Sequence, residues 1–123
     1  MIVGIGNDLI EIERIQRAIE RQGFLSKYFT ETEQILFEER HLNPSTVGGN
    51  FSVKEAVSKA LGTGIRDFGL IDIEVLRDEL GKPYIILYNG ALALSEALGI
   101  NQWHVSISHS KTTITTMVIG EKV

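Results

Sequence analysis

The alternation of apolar and polar residues predicts helices in the first half of the chain and mostly strands in the second. The β-prone segment 1–6 predicts a first strand, and Asn7-Asp8 then provides a helix start. A first helix is therefore predicted over about 9–22, where Gly23 stops it. At about 100° per residue, its isoleucines share one side and its arginines the other; these are Ile12, Ile15 and Ile19, and Arg14, Arg17 and Arg21.

The remaining elements follow from capping signals, turn residues and short β-prone runs. The segment 30–33 has the sequence of a capping box and opens a second helix that ends near Arg40. A loop is predicted over 43–49, and a third helix from Ser52 to about Leu61. Two strands joined by a turn, a short helix and two final strands are predicted at 71–76, 84–88, 90–98, 103–108 and 113–119. This order predicts an α+β fold, with helices packed on an antiparallel sheet.

Length and composition limit the class of protein. A chain of 123 residues is expected to form one domain over 1–123. The formal net charge of −4 argues against a nucleic-acid binder held by phosphate contacts. The absence of cysteine fits a cytoplasmic protein. No apolar run reaches membrane-spanning length, so neither a signal peptide nor a membrane partner is expected.

Two carboxylates are candidates for holding a metal ion. Asp8 is predicted where the first strand turns into a helix, and Glu55 in the first turn of the third helix. A hard cation such as Mg²⁺ takes few protein carboxylates and fills its other positions with water and substrate phosphate oxygens. A structural explanation also exists, because Asp8 can cap its helix and Glu55 can close a capping box with Ser52.

The third helix carries a polar face that suits phosphate chemistry. Glu55 and Lys59 are four residues apart and share a side, with Lys54 and Ser58 on the adjoining flank. The face is either a platform for phosphate and metal or a solvated surface with one Glu–Lys pair.

Three other features are weaker candidates. Gly62 and Gly64 let backbone amides approach an anion, but the same glycines also simply stop a helix. His109 follows a predicted strand and suits contact with phosphate or proton transfer, although a lone histidine is more often an ordinary surface residue. The arginine stripe is either a docking site for an acidic partner or a solvated face with pairs such as Glu13 to Arg17.

Two long motifs together resemble one enzyme family. The segment 4–15 is similar to the G-I-G-x-D-[IL]-x-E-[IL]-x-R-[IL] signature of holo-acyl-carrier-protein synthases, and 51–65 resembles their F-x-x-K-E-A-x-x-K-A-L-G-T-G core. The segments 81–84 and 105–109 match two further family stretches in the same order. The resemblance therefore covers the whole chain.

The resemblance implies an activity, a fold and an assembly. The family transfers the 4′-phosphopantetheine group of coenzyme A to a serine of apo-acyl carrier protein, releasing adenosine 3′,5′-bisphosphate, in fatty acid biosynthesis. It uses Mg²⁺ and has its own phosphopantetheinyl transferase fold. It is typically a homotrimer, with coenzyme A in clefts between subunits.

The resemblance also implies roles for individual residues. Asp8 and Glu55 would ligate Mg²⁺ bridging the pyrophosphate of coenzyme A, and Lys59 would neutralise the charge that builds there. The coenzyme A pocket would also include Lys54, Ser58, Gly62, Gly64 and, at one phosphate, His109, while the carrier would meet Arg14, Arg17 and Arg21. Glu55 and a metal-bound water are both candidates for taking the serine proton.

The chain departs from the family pattern at two places. Asn50 stands where the family commonly has an arginine, which would clamp a phosphate with a planar fork that asparagine cannot supply. An arginine introduced there is therefore expected to tighten coenzyme A binding, and His41 or Lys111 are the basic residues that would compensate. The C-terminal tail also has threonines where the family more often has small apolar residues, at Thr112, Thr113, Thr115 and Thr116.

Two alternative functions are consistent with the same residues. One is a different Mg²⁺-dependent phosphotransferase that uses the carboxylate pair on another nucleotide. The other is a trimeric protein that recognises acyl carrier protein without catalysis. The joint presence of Asp8, Glu55 and Lys59 argues against the second.

Overall fold

The computed structural model describes residues 1–62 and 67–123. These residues form an α+β fold, as the sequence predicts. The strands are β1 (Ile2–Glu11), β2 (Ile73–Arg77), β3 (Pro83–Leu87), β4 (Gln102–His109) and β5 (Thr113–Glu121). The helices are α1 (Ile12–Ile19), α2 (Phe24–Tyr28), α3 (Glu31–Glu39), α4 (Pro44–Ala60) and α5 (Asn89–Ala97), and a 3₁₀ turn at Leu70–Asp72 precedes β2.

The strands pair antiparallel in two separate sheets. The larger sheet has the order β1-β5-β4, and β2 with β3 forms a two-stranded hairpin. The predicted hairpin turn is confirmed: the Asp78 side chain accepts hydrogen bonds from the backbone N–H groups of Leu80 and Lys82, both at 2.9 Å. Gly81 adopts φ 84°, a left-handed conformation that glycine tolerates best.

β1 is longer than the sequence predicts and includes Asp8. The predicted helix start at Asn7-Asp8 is wrong, because the strand stays paired with β5 until Glu11 lies opposite Thr113. Strand pairing satisfies the backbone groups along this whole segment, which outweighs the capping tendency of the two polar residues. α1 therefore begins at Ile12. Its predicted faces are confirmed, with the isoleucine side largely buried and all three arginines exposed.

α4 is also longer than predicted, at its N-terminal end. The predicted loop at 43–49 is wrong, since Asn43 caps the helix by accepting a hydrogen bond from the Ser45 N–H at 2.9 Å, and Pro44 occupies the first position. Glu55 consequently lies well inside the helix and not in its first turn. The capping box of α3 is confirmed, with reciprocal 3.2 Å hydrogen bonds between Thr30 and Glu33.

α4 is the central element of the core and is buried along most of its length. One apolar cluster joins it to β2, β3, α5 and the larger sheet. A second cluster lies under α1, α2 and α3, and its aromatic rings pack edge to face at Phe24, Tyr28, Phe29, Phe37 and Phe51. The short helix α2, which the sequence pattern did not predict, contributes Phe24 to this second cluster.

Two glycines of β1 allow α4 to lie directly against the strand. A Cβ atom at Gly4 would overlap the carbonyl oxygen of Ala60, and one at Gly6 would overlap that of Ala56. The obstructing atoms belong to the helix backbone, so no side-chain rotation can relieve the overlap. This close approach sets the distance between β1 and the face of α4 that carries Glu55 and Lys59.

Gly6→Ala is expected to destabilise the fold by about 1–3 kcal/mol or more, because overpacking against backbone forces α4 away from β1. Urea denaturation measures the change. Gly69→Ala is the matched control: its added methyl group would meet Ile71 only at 3.8 Å, and its stability should stay close to that of the unmodified chain. Equal stability of the two variants would contradict the proposed close approach.

A candidate active site between the first strand and the long helix

The side chain of Asp8 lies between β1 and α4 and is held on both oxygens. The Ser52 hydroxyl donates a hydrogen bond to Asp8 Oδ2 at 2.8 Å. The Lys59 ammonium lies 3.4 Å from Asp8 Oδ1 and donates to the Asn7 carbonyl at 2.9 Å. The Asp8 side chain is 15% exposed and that of Lys59 is 55% exposed, so the Oδ1 side of the carboxylate faces the solvent edge of the site.

Glu55 lies within electrostatic reach of the same groups. Burial raises the pKa of its carboxyl group, and the negative charge of Asp8 raises it further. The positive charges of Lys59 and Arg14 act in the opposite direction. Asp8, Glu55 and Lys59 are therefore brought together, as the sequence predicts, and Arg14 connects the arginine stripe to this cluster.

The two carboxylates fit a hard divalent cation of the kind that keeps several waters and substrate oxygens. Within residues 1–62 and 67–123, no group of three or more histidine, cysteine or acidic residues is positioned to hold a metal. A two-carboxylate site suits Mg²⁺, which is usually bound by one or two carboxylates together with phosphate oxygens. The repulsion that raises the pKa of Glu55 is also what a bound cation would relieve.

Lys54 does not line this site, and its predicted role in the coenzyme A pocket is wrong. Its side chain is fully buried, and its ammonium donates to Glu33 at 2.7 Å and to the carbonyl oxygens of Leu70, at 3.0 Å, and Ile73. Burial lowers the pKa of Lys54 and raises that of Glu33, while each charge opposes the shift of the other. The residue next to Glu55 in sequence therefore joins α4 to α3 and β2.

The structure also places Ser58 away from solvent. Its side chain is buried, and its hydroxyl donates to the Lys54 carbonyl one turn earlier at 2.9 Å, so the prediction that it lines the pocket is wrong. Gly62 is exposed and follows α4 with φ 81°, and its role in anion binding stays a prediction. Gly64 lies outside the described residues.

Asn50 has a structural position, which corrects the expectation about coenzyme A affinity. It is fully buried, and its amide donates to Glu33 at 3.0 Å and to the Val75 carbonyl at 2.8 Å. An arginine introduced there would begin inside the network of Glu33 and Lys54. Its first partner would be the Glu33 carboxylate, so no gain in phosphate binding is expected.

His109 lies in a second pocket, separate from the carboxylates. This pocket of about 350 Å³ is lined by Arg40, Arg77 and His109, together with Ser45 and Thr46. Burial lowers the pKa of Arg77, and the positive charge of Arg40 lowers it further, as expected for two guanidinium groups held close together. Such a group of cations favours an anion.

The sequence reasoning missed both arginines of this pocket. Arg77 ends β2 and Arg40 follows α3, so neither belongs to a recognised motif. The only available signal was their charge in an acidic chain. Lys111, one of the two residues expected to compensate for Asn50, lines a different pocket beside Glu11 and Glu13.

The arginine stripe is exposed, and each member has a distinct neighbour. Arg17 pairs with Glu13 at 4.0 Å, as predicted, and both side chains are largely exposed. The guanidinium of Arg21 lies 5.8 Å from the centre of the Phe24 ring. The stripe thus continues from the carboxylate cluster at Arg14 toward α2.

Comparison with known proteins assigns the family. A family model described as the 4′-phosphopantetheinyl transferase superfamily matches residues 4–115. The chain belongs to this superfamily. The holo-[acyl-carrier-protein] synthase of Clostridium perfringens is 53% identical over 118 residues, covering 92% of this chain and 89% of the relative. That of Alkaliphilus oremlandii is 49% identical, covering 98% of this chain and 99% of the relative.

A solved structure shares the fold over the whole chain. The holo-(acyl-carrier-protein) synthase of Bacillus anthracis, in complex with CoA (3′,5′-ADP), superposes with a TM-score of 0.83 at 37% identity, covering 100% of this chain and 99% of that one. The predicted fold class and family resemblance are confirmed. Among the described residues of this family member, no helix has the length and hydropathy required to cross a membrane.

Lys54→Met is expected to make stability depend strongly on pH. Without Lys54, the pKa of buried Glu33 rises further above its unfolded value of about 4.3, so the folded state holds a proton that the unfolded state releases. The variant should therefore lose stability as pH rises from about 5 to about 8. Urea denaturation across this range measures the slope. Lys122→Met, which removes an exposed lysine, is the control and should follow the unmodified chain; a parallel curve for Lys54→Met would refute the buried pair.

Proposed function

We propose that this chain transfers the 4′-phosphopantetheine group of coenzyme A to a serine of apo-acyl carrier protein and releases adenosine 3′,5′-bisphosphate. The observation that carries the proposal is the cluster of Asp8, Glu55 and Lys59 at the solvent edge between β1 and α4. The curated relatives act as holo-[acyl-carrier-protein] synthases, and the match over residues 4–115 supports one catalytic domain over 1–123.

Asp8 and Glu55 would hold Mg²⁺, which would neutralise negative charge on the coenzyme A pyrophosphate. Phosphoryl-type transfer needs positioning and charge neutralisation more than covalent catalysis by the protein. Asp8 Oδ1 becomes the oxygen available to a cation when Lys59, now 3.4 Å away, turns toward a phosphate, since Oδ2 accepts the Ser52 hydrogen bond. The half-buried position of Glu55 limits the water that competes for its carboxylate.

Lys59 is placed to bind the reacting phosphates. Its side chain is more than half exposed, and its present ion pair with Asp8 is long, at 3.4 Å. The ammonium can therefore turn toward a phosphate oxygen while staying in the same cluster. Its charge would stabilise the negative charge that develops on the leaving adenosine bisphosphate.

The pocket of Arg40, Arg77 and His109 would bind another phosphate of coenzyme A. Two guanidinium groups and an imidazole offer several hydrogen-bond donors to one anion. In this chain Arg40 and Arg77 would supply the charge that Asn50 lacks. The Bacillus anthracis relative is described in complex with CoA (3′,5′-ADP), which supports coenzyme A as the ligand of this chain.

A homotrimer would bring the two phosphate sites together between subunits. Within one chain they are lined by different residues on different elements. The outer face of the larger sheet is apolar where Ile5, Leu9 and Met117 are 60%, 71% and 47% exposed, and Ile5 lies opposite Ile119 across the β1–β5 pair. An apolar face of this kind favours burial against a second copy of the chain.

The carrier protein would dock on the arginine stripe. Arg14, Arg17 and Arg21 are exposed on an otherwise acidic chain, and the positive charge of Arg14 acts to lower the pKa of Glu55. A carrier bound there would present its serine close to the carboxylate cluster. Opposed charges would steer its approach.

One assay tests the proposed function against its alternatives. The protein is incubated with Mg²⁺, coenzyme A and apo-acyl carrier protein, and the carrier is weighed by mass spectrometry. A mass gain equal to one phosphopantetheine group is expected. Binding of the carrier without a mass gain would favour the non-catalytic recognition protein, and turnover of another nucleotide alone would favour a different phosphotransferase.

Asp8→Asn and Glu55→Gln should each lower kcat/KM by more than about a hundredfold. Removing a metal ligand costs more activity than removing a residue that only hydrogen-bonds to a ligand. Each change keeps the size of the side chain and removes its charge. Glu38→Gln, on the exposed side of α3, is the control and should retain activity. Near-normal turnover of either site variant at saturating Mg²⁺ would show that the substituted residue is not a metal ligand.

Lys59→Ala should mainly lower kcat, by about a hundred- to a thousandfold, because its charge acts where negative charge develops. Lys59→Arg keeps the charge and should retain part of the activity. Steady-state kinetics with coenzyme A varied separates the two parameters. A variant changed only in KM would show that Lys59 binds substrate and transition state equally.

Reversing the charge at two stripe positions, Arg14→Glu with Arg21→Glu, should lower kcat/KM for the carrier protein and leave the kinetics with coenzyme A unchanged. The unmodified enzyme should lose kcat/KM for the carrier as salt rises, whereas the variant should start low and respond little. Lys82→Glu with Lys122→Glu changes the net charge equally at exposed positions and serves as the control. If the variant has unchanged kinetics with the carrier protein at low salt, the arginine stripe is a solvated helix face and not a docking site.

A further inference from the structure

Two buried hydroxyl groups form a chain that ends on the Asp8 carboxylate. The Thr116 hydroxyl, from β5, lies 2.8 Å from the Ser52 hydroxyl, from α4. The Ser52 hydroxyl in turn lies 2.8 Å from Asp8 Oδ2. Both hydroxyl-bearing residues are buried, and Thr116 is the strand partner of Asp8 in the β1–β5 pair.

The chemistry of the groups fixes the direction of both hydrogen bonds. An ionised carboxylate only accepts hydrogen bonds, so the single proton of the Ser52 hydroxyl points to Asp8. The contact between the two hydroxyls then requires Thr116 to donate and Ser52 to accept. Each donor in such a sequence polarises the next, which strengthens the final bond to Asp8 Oδ2.

The position of Ser52 inside a helix makes this bond informative. A serine there commonly donates to the carbonyl oxygen four residues earlier. Ser58 does so, with the Lys54 carbonyl as its acceptor, whereas Ser52 donates across to β1 instead. Ser52 also lies one helical turn before Glu55, so a single turn of α4 carries one carboxylate and the group that orients the other.

We propose that Thr116 and Ser52 hold Asp8 Oδ2 so that Asp8 offers a metal one oxygen, and that this selects Mg²⁺ over Ca²⁺. The inference rests on the proposed function, in which Asp8 and Glu55 hold the cation. Mg²⁺ demands a compact octahedral shell, whereas Ca²⁺ takes more oxygens and accepts both oxygens of one carboxylate. A carboxylate with one oxygen committed to a buried donor therefore favours the smaller ion. Ser52 and Thr116 are positioning residues, since neither needs to touch the metal.

Metal binding by the protein without carrier tests the proposal independently of turnover. Mn²⁺, a paramagnetic ion that substitutes for Mg²⁺, is first titrated into the protein alone. A second titration is made in the presence of coenzyme A, and a blank with coenzyme A but no protein is subtracted. Free Mn²⁺ is counted by electron paramagnetic resonance. Bound Mn²⁺ is then displaced with Mg²⁺ or with Ca²⁺, which gives the preference between these ions.

Ser52→Ala should weaken Mn²⁺ binding by about ten- to a hundredfold, the usual effect of losing a group that orients a ligand. Thr116→Val, which keeps the side-chain shape, should weaken it by about three- to tenfold, as for one hydrogen bond. In both variants Ca²⁺ should compete better relative to Mg²⁺. Thr116→Ser restores the hydroxyl and should restore the preference.

Ser95→Ala is the matched control for loss of a buried hydroxyl. Ser95 is buried away from the carboxylates and bonds to Trp103 at 3.2 Å. Its loss should lower stability without changing the metal preference. A folded Thr116→Val protein with an unchanged Mg²⁺ to Ca²⁺ preference would overturn the proposal, even if Ser52→Ala fails to fold. If the unmodified protein binds Mn²⁺ no better than Glu55→Gln does, the proposed metal site itself fails.

Discussion

The contact between the backbone of α4 and the two glycines of β1 is the constraint on which the rest of the structure depends. Any side chain at Gly4 or Gly6 would occupy the place of a helix carbonyl oxygen. Asp8 follows Gly6 by two residues on the same strand, and Glu55 and Lys59 flank the helix turn that meets it. The distances within the candidate site are therefore set by the close contact between the two backbones.

A different side of α4 is fixed by a buried ion pair. Because successive helix residues are about 100° apart, Lys54 points toward α3 and β2 while Glu55 points toward β1. Glu33 accepts hydrogen bonds from Lys54, Asn50 and the Val75 backbone, so removing any one of these donors leaves a buried charge less well satisfied. The long helix is thus held from both sides, and its functional face has little freedom to rotate.

Much of the fold and part of the candidate site could be predicted from the sequence. The α3 capping box, the hairpin turn and the exposed arginine stripe depend on neighbouring residues, and all three were found where predicted. Asp8 was misplaced on a helix start because its strand is defined by pairing with β5, which is distant in sequence. The segment 43–49 was likewise predicted to be a loop, because Pro44, Gly48 and Gly49 are typical loop residues. Burial keeps this segment helical, as the first part of α4.

Side-chain roles were harder to predict than elements, for a related reason. Lys54 and Lys59 are chemically identical and sit in one motif, but only the packing of α3 and β2 shows that Lys54 is buried. The same packing gives Asn50 two partners and makes it structural. The pocket of Arg40, Arg77 and His109 joins three elements that are far apart in sequence, and local patterns carry no information about such a meeting.

The exposed apolar face of the larger sheet also links stability to concentration. Ile5, Leu9 and Met117 stay 60%, 71% and 47% exposed after folding, so this part of their apolar surface adds no stability while it is in contact with water. The remaining hydrophobic stabilisation becomes available only through association. When the associating surface is a second copy, mass action raises the unfolding temperature with total protein and lowers it on dilution. The fraction of this chain that is folded would then depend on its concentration as well as on its sequence.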